Sequence, residues 1–385
     1  MKRALPIWVM FSTGVAFPGP LANNVGFYHW GGQYTTSMSQ GVERIAQLGG
    51  HVARVVLAPT YYQDYNIGTN CYPGYSLSAI AREADVKRAL DNESMEVLML
   101  TAYDGATFGD CEHARFLNPS FYTPDNTAAL SQEYSDFTLY LYRTYRHTHK
   151  RFIVSDWEGD NTVYCQAAYA YATEPKFRSY CDANYTAFYG NASAAESMQG
   201  LKLWHQARQQ GIADGRNRAA AEGIGEMRVD FAPEFCSMHA LHDAGFPSVL
   251  YDVLPALTVD YISYSAYESI NAADPAATLT TDLKTIQDVV GSSAIIIGES
   301  GFSRSAWGAQ VVPRTDAVIS AAQAWGVTYI IQWNLYDQNP QSDFGLFDLD
   351  GNATTLGAYF QNMISGEPKG PLFRIETQDR STSLP

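Results

Sequence analysis

From residue 25 onward the chain repeats one pattern: a short β-branched run, a polar or glycine-bearing turn, then a stretch with apolar residues at helical spacing. The runs predict strands over Val25–Trp30, Val52–Ala58, Glu96–Ala102, Arg151–Asp156, Met227–Ala232, Val259–Ser263, Ala294–Gly298 and Thr328–Trp333. Between them lie faces such as Met38, Val42, Ile45 and Leu48, closed by Gly49-Gly50, and Phe137, Leu141 and Tyr145. Further helices are expected around Ser78–Leu90, from Met198 to Gly223, through Leu283, Ile286 and Val290, through Val318, Ala322 and Trp325, and around Thr355–Ile364. Strands alternating with helices at this length imply an α/β fold, a single (β/α)₈ TIM barrel. An open doubly wound sheet is the competitor. The first strand is not followed by a Gly-x-Gly-x-x-Gly turn, and the chain lacks a Walker loop, which weakens it.

In such a barrel the chemistry sits where strands end at their C-terminal side. Reading those ends gives Arg54 within strand two, Tyr103-Asp104 after strand three, and Asp156-Trp157-Glu158-Gly159-Asp160-Asn161 after strand four. Then come Pro233-Glu234, Tyr264-Ser265-Ala266-Tyr267, Gly298-Glu299-Ser300-Gly301 and Gln332-Trp333-Asn334, with His29 at the end of strand one. Strands four and seven lie across a barrel from one another, so Glu158 and Glu299 are placed to share a pocket. Paired carboxyls suit glycosidic cleavage, which needs one acid to protonate the leaving oxygen and one carboxylate to attack or to activate water.

Ile295-Ile296-Ile297-Gly298-Glu299-Ser300-Gly301-Phe302, Val259 through Tyr267, and Gln332-Trp333-Asn334 followed by Phe344 through Gly351 together resemble the cellulase-like superfamily of retaining (β/α)₈-barrel glycoside hydrolases. The resemblance implies a secreted or periplasmic enzyme that cleaves O-glycosidic bonds of an oligo- or polysaccharide by double displacement. Glu299 is then the nucleophile and Glu158 the acid/base. Tyr267 hydrogen-bonds the nucleophile, Arg54 keeps it ionised, and Trp333 is the sugar-stacking platform. Trp157, Asn161, Asp160, Glu234, His29 and Asp104 complete the candidate substrate-binding set, with Asp160 and Glu234 as reserve acids. Two positions depart from the superfamily's pattern: Trp157 stands where an asparagine usually precedes the acid, and Ser265 where a histidine is frequent. A non-catalytic carbohydrate-binding barrel is the alternative.

Composition narrows the partners. A net charge of -15 disfavours nucleic acid and anionic membranes, and the later chain has no apolar run long enough to span a bilayer. Twenty-six tyrosines suit sugar recognition as well as ordinary core packing. Residues 1–22 read as a signal peptide, with Lys2 and Arg3 ahead of an apolar run; 23–365 form the barrel and 366–385 a flexible tail. Export agrees with cysteine pairs closing loops: Cys165–Cys181 in the Tyr-rich loop after strand four and Cys71–Cys111 between neighbouring loops, leaving Cys236 odd. That loop, 161–197, reads as a lid or a small clustered subdomain. No cofactor or metal is expected, since the histidines are scattered without a ligand spacing, and the chain is expected to be a monomer.

Overall fold

The computed structural model describes residues 24–31, 36–68, 71–72, 74–108, 115–291, 294–339 and 341–365. The expected signal peptide and C-terminal tail, and Cys111 of the second expected disulfide, lie outside the described residues. Nine strands form one parallel sheet: β1 (Val25–Tyr28), β2 (Val52–Leu57), β3 (Val97–Ala102), β4 (Arg151–Ser155), β5 (Arg228–Ala232), β6 (Glu234–Phe235), β7 (Tyr261–Ser265), β8 (Ala294–Ser300) and β9 (Ile330–Gln332). Their order is β5-β4-β3-β2-β1-β9-β8-β7-β6. The expected fifth strand, Met227–Ala232, is β5, and past Pro233 the chain adds a two-residue strand, β6, that was not expected. The ring is drawn together by the amide of Asp260 donating to the Phe231 carbonyl (3.1 Å) and that of Ser263 to the Pro233 carbonyl (3.0 Å). Every expected strand is present, and the architecture is a TIM barrel.

Strands β1, β2, β3, β7 and β9 are buried along their whole length. A parallel sheet covered by helices outside and packed side chains inside has no wet face, hence strands rich in Val, Ile, Leu and aromatic residues whose few polar side chains, such as Arg54 and Thr101, are buried. The longest helices, Pro124–Tyr145 and Ala194–Ala221, pack side by side. They approach closely because Gly211 has no side chain: a Cβ there would stand 2.2 Å from the Ser131 carbonyl oxygen.

Three local expectations shift. The helical segment expected around Ser78–Leu90 is two helices, Leu77–Ile80 and Ala84–Asp91, parted where Glu83 turns to the hydroxyls of Tyr62 (3.3 Å) and Tyr75 (2.5 Å). The expected sixth strand starts at Tyr261 rather than Val259, because Asp260 is engaged by Arg216 and by the Phe231 amide. The Tyr-rich stretch after β4 is helical rather than loop: Gly159–Val163, Ala168–Thr173 and Pro175–Tyr189. Its interior is a ring cluster, with Tyr164 4.6 Å from Tyr171 and Tyr171 5.1 Å from Phe246, and the Cys165–Cys181 disulfide staples it. The reading as a small clustered subdomain therefore describes its packing. Cys236 is free and buried. Among the described residues no helix is long and apolar enough to cross a membrane.

Candidate active site

The C-terminal strand ends carry a buried network that starts inside β2. Arg54 is fully buried, and burying a guanidinium is costly unless its donors are satisfied. Here every donor is used. Nη1 and Nη2 form a fork with Glu234 (2.6 and 2.8 Å). Nη1 also reaches the Gly298 carbonyl (2.8 Å), Nη2 the Asp156 carbonyl (2.9 Å) and Nε the Thr101 hydroxyl (2.9 Å). The Tyr28 ring stacks against the guanidinium at 4.4 Å. Glu234 is equally saturated: besides Arg54, its Oε1 accepts from the Glu158 amide (3.2 Å) and its Oε2 from the Ser263 hydroxyl (2.7 Å). Arg54 comes within 3.9 Å of Glu299, with no donor left to give it. The arginine expected to hold Glu299 thus acts on it through space and binds Glu234.

Glu158 follows β4 in a left-handed conformation, φ 33° and ψ 70°, rarely adopted by a residue with a side chain. Its amide bond to Glu234 is one restraint holding it there. The Glu158 carboxyl is 4% exposed and accepts from the Ser265 hydroxyl at Oε1 (2.5 Å) and from the Asn161 amide at Oε2. Burial pushes it up to about 7, against the pull of the Ser265 hydrogen bond. Glu299, on β8, is also 4% exposed. Its Oε1 accepts from the Tyr267 hydroxyl at 3.1 Å, and its Oε2 has no hydrogen-bond partner. Burial, and then the negative charge of Glu158, push it well above the usual carboxylate range, with Arg54 opposing. This is the reverse of the lowering expected from Arg54 and Tyr267: desolvation outweighs a guanidinium whose bonds are spent elsewhere.

An aromatic wall adjoins this network. Trp333, half-buried, stands edge-on to Tyr28 at 4.8 Å and near Trp30 at 6.0 Å, and its amide donates to the Ser300 carbonyl (2.7 Å). The Trp157 backbone amide donates to the Tyr103 hydroxyl (3.0 Å). Other sequence candidates are engaged away from the glutamate pair. Asp160 accepts from the amides of Cys236 (3.0 Å) and Val249 (2.8 Å), pinning the chain after β4 to two later segments. Asp104 binds Thr107 and the Trp204 indole (3.2 Å). His29 is buried between Tyr65 and Tyr336 with Nε2 on the Ser37 carbonyl (3.1 Å), and burial lowers it to about 4, so its ring is neutral. The structure thus joins Arg54, Glu234, Glu158, Asn161, Tyr267 and Glu299 in one network beside Trp333. Ser265 and Tyr28 were missed as members. Ser265 was noticed only as a departure from a family pattern; Tyr28, ending an apolar run, carries no polar signal.

No family model and no curated protein matches the sequence. Solved structures do match in fold. A GH5_18 from Bifidobacterium longum subsp. infantis superposes with a TM-score of 0.55 at 14% identity, over 91% of this chain and 80% of that one. A family 1 β-glucosidase from Thermotoga maritima gives 0.55 at 10% identity, over 90% and 98%. The exo-β-1,4-mannosidase Op5Man5 from Opitutaceae bacterium strain TAV5 gives 0.55 at 13% identity, over 94% and 62%. At these identities the likeness is one of fold: this chain has a (β/α)₈ barrel similar to those of proteins named as glycosidases.

Proposed function

We propose that the chain is a retaining glycoside hydrolase acting on an oligo- or polysaccharide, with Glu299 as nucleophile and Glu158 as acid/base. The observation that carries this reading is the unequal occupancy of two neighbouring buried carboxyls. Glu299 keeps one oxygen free of any hydrogen bond, with Arg54 3.9 Å away, as an attacking atom requires, while both Glu158 oxygens are held by hydrogen bonds. Burial and mutual repulsion favour a state in which the pair carries one proton and one charge, the state that double displacement begins from. In the first step the Glu299 carboxylate bonds to the anomeric carbon as the glycosidic C–O bond breaks, and the Glu158 proton passes to the departing oxygen. In the second, Glu158 as carboxylate takes a proton from water, which attacks the anomeric carbon and releases Glu299. The half-buried rings of Trp333 and Trp30, the former backed by buried Tyr28, offer stacking surface for the sugar ring. The likeness to barrels named as glucosidase and mannosidase supports the reaction class. An exported, monomeric chain, with residues 1–22 as its leader and Cys71–Cys111 as a second staple, completes the proposal. The Cys165–Cys181 bridge supports an oxidising compartment.

The test is hydrolysis of a panel of aryl glycosides and of plant, fungal and bacterial glycans, with the first-released anomer followed by NMR. Retention is expected; retaining enzymes in general hold their two carboxyls roughly 5–5.5 Å apart. An inverted product overturns double displacement. Glycan binding without turnover across the panel replaces the enzyme by the carbohydrate-binding barrel.

A further inference from the structure

One hydroxyl links the β7–β8 pair, which carries Glu299, to the turn after β4, which carries Glu158. β7 and β8 pair in register as far as Tyr264 opposite Ile297; the register then shifts, and Ser265 pairs with Glu299, leaving Gly298 as the extra residue. Gly298 is forced by its surroundings: a Cβ there would stand 2.0 Å from the Ser263 hydroxyl and 2.1 Å from Glu234 Oε2. The bulge therefore gives room to the Arg54–Glu234 fork and, in the same step, sets Ser265 beside Glu299. The Ala266 amide donates to the Glu299 carbonyl (2.9 Å) and holds that alignment. From this position the fully buried Ser265 hydroxyl donates across the site to Glu158 Oε1 at 2.5 Å. We infer that Ser265, on β7, is a positioning residue that ties the acid/base carboxyl following β4 to the strand paired with that of the nucleophile, and sets the pH at which Glu158 gives up its proton. The inference rests on the glycosidase reading for its catalytic meaning.

A hydroxyl donated to a carboxylate favours the ionised form, and double displacement needs Glu158 in both forms, as acid and then as base. The other groups facing Glu158 are Glu234 on β6, Arg54 on β2, Glu299 on β8, Tyr267 after β7 and Cys236 after β6. Cys236 and Tyr267 stay neutral over the working range, since burial raises both well above their usual values. Arg54 pulls the Glu158 proton off and the negative charge of Glu234 holds it on, while Glu299 and Glu158 each oppose ionisation of the other. Besides Arg54, the side-chain bonds of Ser265 and Asn161 are what favour the Glu158 anion.

The experiment follows the Glu158 carboxyl itself. In protein labelled with ¹³C at the glutamate carboxyl, the Glu158 resonance is assigned by its loss in Glu158→Gln, then titrated in wild type, Ser265→Ala and Ser265→Thr. Ser265→Ala is expected to move the midpoint upward by about one pH unit, the worth of one hydrogen bond to a charged group, while Ser265→Thr keeps it. The alkaline limb of kcat/KM on an unactivated glycan should move with it, and an activated aryl glycoside, whose departure needs little protonation, should lose less rate. An unchanged midpoint in Ser265→Ala overturns the inference, as does Ser265→Thr behaving like Ser265→Ala. A shifted midpoint without turnover of any glycoside supports the link to Glu158 and overturns the glycosidase reading instead.

Discussion

Glu234 and Glu299 stand on neighbouring sides of Arg54, both buried, and they differ in how their oxygens are occupied. Glu234 accepts from two guanidinium nitrogens, a hydroxyl and a backbone amide. Glu299 accepts from one tyrosine and leaves its second oxygen without a hydrogen bond, 3.9 Å from Arg54. A carboxylate with all its lone pairs engaged has nothing to offer a substrate and much to offer the fold; one with a bare oxygen in a buried site is poorly stabilised and available for chemistry. Occupancy, more than residue type or strand position, thus separates the framework carboxylate from the one proposed to react. Glu234, held by the Arg54 fork, and Asp160, pinned by two backbone amides, are likewise bound into the framework, whereas the Glu158 oxygens are held only by side-chain hydroxyl and amide, which fits its proposed acid role.

The largest effect expected from this contrast is on turnover. Glu299→Gln removes the attacking oxyanion, and kcat should fall by at least about 10⁴-fold while the melting temperature holds or rises, because a buried carboxyl repelling Glu158 has gone. Turnover within tenfold of wild type in that variant would break the assignment.

Arg54→Met should do the opposite. It strips the partner from the Glu234 carboxylate, and breaking a buried pair in this way costs about 3–5 kcal/mol. Chemical denaturation is the measurement. A loss below about 1 kcal/mol would mean that Glu234 is relieved by water or by protonation, and the framework role would fall.

A third effect sharpens the contrast through pH. The Glu158 carboxyl titrates near 7 in the folded protein against an ordinary value of 4.5. Its folded pKa is raised, so the stability gained from binding the proton in the folded state is fully present below 4.5 and is lost as pH rises through 7. Glu158→Gln, which cannot ionise, escapes that loss. Relative to wild type it should gain of order 3 kcal/mol between pH 4.5 and pH 8.5 in paired denaturation curves. A difference that stays flat with pH would show that Glu158 is not held in its proton-bound form.

The smallest effect concerns a strand-end carboxylate with both oxygens occupied. Asp104→Asn should leave kcat within about twofold and lower stability by about 1–2 kcal/mol, since one of the bonds to Thr107 or Trp204 is weakened. A tenfold drop in kcat would place Asp104 with the reactive groups after all.

Much of the architecture was legible from local pattern. The mostly apolar runs at Val52, Val97 and Ala294 read as strands because a doubly covered parallel strand is buried on both faces, and the helical faces followed from four-residue spacing. The helices after β4 were not legible, since a tyrosine-rich segment with two cysteines looks like irregular chain until its rings find one another. The displaced start of β7 was hidden too: Asp260 is taken by Arg216, a partner distant in sequence. In the site, Glu158 and Glu299 stood out by their place at strand ends.

Strand and helix periodicity, and the placing of polar residues at strand ends, follow from short-range steric and hydrophobic preferences, so the chain alone carries them. The division of labour among the carboxyls does not. It depends on which donors arrive beside each oxygen, and those come from far away: Arg54 and Glu234 are 180 positions apart, and Ser265 and Glu158 are 107. Only closure of the barrel brings such groups within hydrogen-bonding distance, and only burial makes each bond decide where a proton resides.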